Sequence, residues 1–189
     1  RLKTPDGLNT MNNLASLYHI TGKLDDAETA YASALEIRES LYGPSAALAV
    51  LMSNYGKLKL QQGKSAEAEA LLTRAVAMAD EYSGPASPPA LAARFGLIET
   101  HTVQGSAEAA REVLNRVTSH METANMTTGP YVGMLHLASA QTLIVEGKTE
   151  DALKELQTAD EIFTAIGPPA ARYSAKVKQV RDSLTPAQE

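Results

Sequence analysis

The sequence predicts an all-α chain built from successive helix pairs, and three observations predict it. Of 189 residues, 31 are Ala, the best helix former, whereas Trp is absent and Phe occurs twice. Gly22, Gly63, Gly105 and Gly147 each open a short run of small or polar, acidic and Ala residues, at steps of 41, 42 and 42. A second mark, Gly-Pro, stands at Gly43-Pro44, Gly84-Pro85, Gly129-Pro130 and Gly167-Pro168, 20 to 24 residues after each first mark. Two interleaved series at fixed spacing are the signature of a repeat array.

Each mark reads as a turn. Gly takes the left-handed conformation that ends a helix, and Pro starts the next one well. The first mark is the turn inside a repeat and the second the turn between repeats.

The first pair is predicted at 8–21 and 24–42, where Leu24, Ala27, Tyr31, Ala34, Ile37 and Leu41 recur every three or four residues. The second is predicted at 45–62 and 65–82, with Ala68, Leu72, Ala75 and Ala79 on one face. The third is predicted at 87–104 and 106–124. The fourth is predicted at 131–146 and 149–166, where Ala152, Leu156, Ala159, Ile162 and Phe163 repeat the pattern. A last helix is predicted at 169–184. No stretch alternates with period two over a convincing length.

The inner turns carry further helix-start signals. Asp25, Asp26, Glu67, Glu108, Glu150 and Asp151 face the positive end of the next helix dipole. Ser65, Ser106 and Thr149 are expected to be N-caps. The small residues Ala15, Ala27, Ala34, Gly56, Ala68 and Ala75 let neighbouring backbones approach closely.

Composition excludes several functions. With 17 Lys+Arg against 22 Asp+Glu, the net charge of −5 gives no electrostatic reason to bind nucleic acid or an anionic membrane. The chain has no Cys, which excludes disulfides, Cys-ligated zinc, iron–sulfur clusters and thiol nucleophiles, and fits a cytoplasmic protein. No apolar run is long enough to cross a bilayer. The first residue is Arg, which we read as the start of a fragment of a larger multidomain protein.

No catalytic, cofactor or metal site is expected. There is no phosphate loop, no G-x-S-x-G elbow and no dinucleotide fingerprint. His19, His101, His120 and His136 form no metal motif, and His101 with His136 lacks a third ligand. The acidic pairs Asp25-Asp26, Asp80-Glu81, Glu150-Asp151 and Asp160-Glu161 read as solvated or dipole-facing groups.

The string Leu14-Ala15-Ser16-Leu17-Tyr18, followed by Gly22, Ala27, Tyr31 and Ala34, resembles the tetratricopeptide repeat. The 42-residue step is similar to the long repeat type of kinesin light chains, as are the strings Thr10 to Tyr18 and Ala34 to Glu39. The second repeat keeps Asn54, Gly56, Gly63, Ala68, Leu72 and Ala75 but has Lys59 in place of the tyrosine. The third keeps Leu97, Gly105, Ala110 and Leu114, and the fourth Ala140, Gly147, Ala152, Leu156 and Ala159.

The resemblance implies a right-handed superhelical solenoid of four helix pairs plus a C-terminal capping helix. One domain, 1–189, would hold repeats at about 8–43, 44–84, 85–129 and 130–167, with the cap at about 169–184. First helices line the concave face in this family. That places Asn9, Asn12, Asn13 and Ser16 in the groove, then Asn54 and Lys57, then Phe95 and Glu99, then Leu137 and Gln141. An Asn side chain offers a donor and an acceptor in one plane, so it can pair with the backbone of any extended peptide. Groove asparagines do this in kinesin light chains, and Asn13 and Asn54 occupy matching columns here; Gly96 and Ala138 stand in that column later.

Phe95, Met134, Leu137 and Ile144 make the far end of the groove apolar. Either the last helix covers it, through Ala171, Tyr173, Val177 and Val180 with Lys176, Lys178 and Arg181 solvated, or it packs on another copy or further repeats. The sequence favours the cover. Function then reads as a non-catalytic scaffold binding a peptide or partner protein in the groove. The alternatives are a module that self-associates through its ends and a regulatory arm of an enzyme whose catalytic domain lies elsewhere.

Overall fold

A computed structural model describes residues 3–184. Among them are nine α-helices and no strand: α1 (Pro5–Ile20), α2 (Leu24–Tyr42), α3 (Ala46–Gln61), α4 (Ser65–Ser83), α5 (Pro88–Val103), α6 (Ala107–Thr123), α7 (Pro130–Val145), α8 (Thr149–Ile166) and α9 (Ala171–Leu184). A short 3-10 turn, Pro168–Ala170, leads into α9. The fold is the all-α helical repeat that the spacing predicts. The main shift is at α1, which starts earlier because Thr4 caps it: the Thr4 hydroxyl accepts from the Gly7 amide at 3.1 Å, and Pro5 takes the first turn.

All eight punctuating glycines have positive φ. At Gly22 (φ 77) the amide of Lys23 donates back to Tyr18 at 2.9 Å, which closes the end of α1. The same backward bond recurs from Lys64 to Lys59, Ser106 to His101 and Lys148 to Leu143. This geometry corrects the expected N-caps. Ser65 and Thr149 lie one residue too late, inside α4 and α8, and Ser106 holds the cap position without a side-chain cap bond. The cap residue at these turns has ψ of 61 to 74, set by its bond to the preceding helix. A capping side chain needs extended backbone, which Thr4 (ψ 159) and Ser45 (ψ 161) supply. Between α6 and α7 the turn is longer, and Asn125 (φ 54) takes the left-handed position at the end of α6.

The chain divides into two compact units, Arg1–Thr100 and His101–Glu189, with the division inside α5. In the first, α2 packs on α1 and α3, α4 packs on α3, and α1 also touches α3. Leu8, Tyr31, Leu51, Met52, Leu58 and Leu72 are fully buried, each worth ~1.5–3 kcal/mol of apolar transfer. Tyr31 of α2 stacks on Tyr55 of α3 at 5.7 Å. Leu72 of α4 fits against Gly56 and Gly96, where a Cβ would lie 2.7 and 2.9 Å from it.

In the second unit α6 packs on α7, α7 on α8, and α9 against both α8 and α7. Phe163 of α8 is fully buried between Gly133 of α7 and Tyr173 of α9, whose ring stacks on it at 5.1 Å. Met134, Leu137 and Ile144 join one core with Tyr173, Val177 and Val180, so α9 covers this part of α7. Two details depart from expectation. Ala171 is exposed, because the 3-10 turn puts Ala170 into the core instead. Arg181 is paired with Asp160 at 3.2 Å rather than solvated.

Each unit has a polar lock between successive repeats. In the first, Glu28 of α2 accepts from Lys59 of α3 and from Gln62 just after that helix, and Lys64 joins them. In the second, Arg111 of α6 donates to Glu146 after α7 at 2.7 Å, and Lys148 adds to it. The matching positions carry opposite polarity, acid then base on the second helix of the pair.

Candidate functional site

The first-helix residues of unit one fall on α1 and α3, which lie side by side. Asn54 donates to Asn12 at 3.1 Å, and His19 bonds Gln61 at 2.6 Å, each pair 42 residues apart. Asn13 is exposed. Asn9 accepts from Arg38 at 2.8 Å. Ser16 is half-buried beside Tyr31, whose phenol is pushed up by burial and held back by that serine. Lys57 is half-buried, its stem 3.4 Å from where a Cβ on Gly96 would stand.

Thus Asn9, Asn12 and Asn54 come together where α1 meets α3, whereas Asn13, Ser16 and Lys57 lie on the same two helices outside that group. The other positions behave differently. Phe95 of α5 is 7% exposed and offers little surface, and Glu99 is half-buried. In the second unit Leu137 is 8% exposed within the α7–α8–α9 core, and Gln141 is half-buried. The asparagine column ends after Asn54 because Gly96 accommodates Leu72 and Ala138 is buried.

A cleft of about 160 Å³ opens between α1 and α3, lined by Asn9, Asn12, Ala47, Val50 and Leu51, with Arg38 of α2 among them. Arg38 was not singled out from sequence, although the signal was there. Its column continues as Ala79, Met121 and Phe163, all buried, so a charged member is the exception.

Lys59 is also buried, at 6% side-chain exposure. Burial opposes its charge, but Glu28, Glu67 and Tyr55 together hold its pKa above the usual lysine range. Glu28 is in turn lowered to about 2, first by Lys59 and then by Gln62. Glu146 is lowered to about 2 by Arg111 and then Lys148. These groups are matched to one another, not exposed to a ligand.

His136 bonds Glu155 at 2.7 Å and His101 lies 3.3 Å from Gln104, so each histidine has its own partner. Among the described residues no group of three His, Cys, Asp or Glu is placed to hold a metal ion, and no helix is long and apolar enough to cross a membrane.

The comparisons with known proteins agree with this architecture. Tetratricopeptide-repeat profiles match residues 8–81 and 56–121. Together they span 8–121, or 114 of 189 residues. The chain belongs to the tetratricopeptide-repeat family. Its fold is similar to that of kinesin-light-chain-like repeats. BtubC (BKLC) from P. vanneervenii has a similar fold, with a TM-score of 0.73 and 19% identity over 87% of this chain and 66% of that one. So do the nearly identical TPR-like repeats of a Podosopora anserina protein described as a kinesin light chain. That structure gives a TM-score of 0.69 and 18% identity over 96% of this chain and 90% of that one. A point variant of the same repeats gives 0.68 and 18% over 94% and 87%. No curated protein matches in sequence. Tetratricopeptide repeats are scaffolds for protein–protein interaction and typically non-catalytic.

Proposed function

We propose that the chain is a non-catalytic interaction module that holds an extended segment of a partner protein along the α1–α3 face. It works as part of a larger cytoplasmic protein, with the four pairs acting as one domain. The observation that supports this is a cleft lined by Asn9 and Asn12, with Asn54 bonded to Asn12. Each amide has hydrogen-bonding capacity beyond the bonds it makes within the fold. Asn13 has no bond within the described fold and is exposed. Such a face reads peptide backbone rather than side chains. The test is an Asn13→Ala, Asn54→Ala pair of variants. Both are expected to weaken capture of a selected peptide while the helical signal is kept; unchanged affinity counts against the face.

A second reading rests on a different observation. Leu14, Leu17 and Ile20 form one stripe on α1 and are 44, 56 and 76% exposed. The matching residues of α3 include Tyr55 and Leu58, which are buried under α2. An exposed stripe of this kind supports self-association through α1. Sedimentation velocity over a concentration series decides it, and a monomer at all concentrations removes it.

A further inference from the structure

Where α2 packs on α3, an apolar and a polar contact lie one turn apart. Tyr31 stacks on Tyr55 at 5.7 Å, and Leu58 is buried in the same core. One turn earlier on α2, Glu28 meets Lys59, Gln62 and Lys64. The first repeat carries the matching set 41 residues earlier, the step from Gly22 to Gly63. Leu14 stands for Tyr55, Leu17 for Leu58, Tyr18 for Lys59, Thr21 for Gln62 and Lys23 for Lys64. On α1 this face is left open. Leu14 and Leu17 are exposed. Lys23 is exposed too, and its ammonium lies 5.8 Å from the centre of the Tyr18 ring. No carboxylate among the described residues pairs with it.

An open apolar stripe with a cation at its end selects its cover by shape and by charge. The shape is a helix, because α2 fills the equivalent place on α3. The charge is negative, because Lys23 stands where Lys64 joins Glu28. We propose that the α1 stripe docks an acidic amphipathic helix of a partner protein, packed as α2 packs on α3. An apolar side chain of that helix covers Leu14 and Leu17, and a Glu or Asp one turn earlier meets Lys23. Burial of the two leucines drives the contact, whereas an exposed ion pair adds little and mainly selects the partner. A second copy cannot offer its α2 for this, because Glu28 and Tyr31 are already engaged with its own α3. The stripe does not line the cleft of Asn9 and Asn12, so the inference is independent of the peptide-binding reading. It names a different occupant from the self-association reading of the same residues.

The probe is a synthetic peptide with the sequence of residues 24–42, the helix that fills the equivalent place on α3. A short isolated helix is marginal in water, so a side-chain bridge joins positions 32 and 36, both exposed in α2. Its binding to the whole chain is followed by fluorescence anisotropy. Saturable binding is expected, and Leu17→Ser in the chain is expected to weaken it at least about tenfold. Lys23→Glu in the chain is expected to weaken it roughly threefold, as is Glu28→Lys in the peptide. Combining the two charge reversals is expected to restore the affinity. Both chain variants change exposed side chains, and circular dichroism checks that they keep the fold. The proposal is overturned if the peptide does not bind saturably, or if binding survives Leu17→Ser, as it would if the peptide merely exchanged for α2. Equal binding of the two peptides to wild type and to Lys23→Glu overturns the acidic class. Sedimentation velocity without peptide is the remaining arm: a concentration-dependent mass that Leu17→Ser abolishes gives the stripe to a second copy and overturns the proposal. Failure here leaves peptide capture by Asn13 and Asn54 to its own test.

Discussion

Asn54 of α3 donates its side-chain amide to Asn12 of α1 across 3.1 Å. The bond joins the first helices of two successive repeats and fixes both side chains against each other. It also divides the asparagines into two kinds. Asn54 and Asn12 are partly spent on each other, whereas exposed Asn13 is not. Asn13→Ala should leave the melting temperature unchanged and reduce peptide affinity. Asn54→Ala should reduce affinity and also cost ~0.5–1.5 kcal/mol of stability. Thermal melts beside a binding isotherm separate the two.

The repeat lock predicts an acid limb. Glu28 and Glu146 sit at about 2 in the folded chain against an ordinary 4.5. A lowered carboxylate stabilises fully above its unfolded value, and that contribution disappears as pH falls from 4.5 toward 2. Each shift is worth on the order of 2–3 kcal/mol. Denaturation midpoints should therefore be level from neutral pH to about 5 and fall steeply below 4.5. Glu28→Gln combined with Glu146→Gln should flatten the limb; a limb of unchanged steepness contradicts the assignment.

Lys59 makes the lock asymmetric. Its ammonium is buried between Glu28 and Glu67, while both acids keep contact with solvent. Glu28→Gln alone should cost roughly 1–3 kcal/mol, because it strips a buried cation of one partner. Adding Lys59→Met should recover part of that loss. A double-mutant cycle in urea measures the coupling, and additive costs would contradict it.

Gly133 tests the core of the second unit. A Cβ there would stand 2.5 Å from the Phe163 ring, which Tyr173 holds from the other side. Elsewhere Gly→Ala in a helix gains ~1 kcal/mol. At Gly133 it should instead destabilise, by roughly 1–3 kcal/mol of overpacking. Denaturant melts check the sign, and a stabilised Gly133→Ala would show that Phe163 has room to move.

Helix order and repeat length were legible because they depend on local chemistry. Gly22 and Gly63 end helices through a backbone conformation that few other residues adopt, and Pro130 starts α7 through a fixed φ. The caps were misplaced because Ser65 and Thr149 carry the right side chains while the backward bonds of Lys64 and Lys148 impose the wrong ψ. Exposure of the first helices was legible where columns stay polar, at Asn9, Asn12, Asn13 and Asn54, all exposed or half-buried. It was less so at Phe95 and Leu137, since apolar side chains in a groove column read the same whether exposed or packed. Arg38 escaped notice because it lies on a second helix and reaches the cleft from below, a path that no one-dimensional column describes.

The central claim is that the α1–α3 face binds an extended peptide. The most direct measurement is selection of peptides from a random display library, followed by NMR mapping of an enriched binder on the isotopically labelled chain. The account predicts saturable shifts at Asn9, Asn12, Asn13, Asn54 and Lys57, with exposed Thr29 and Glu36 of α2 unmoved. Shifts confined to the α2 surface, or no enrichment of any peptide, would contradict it.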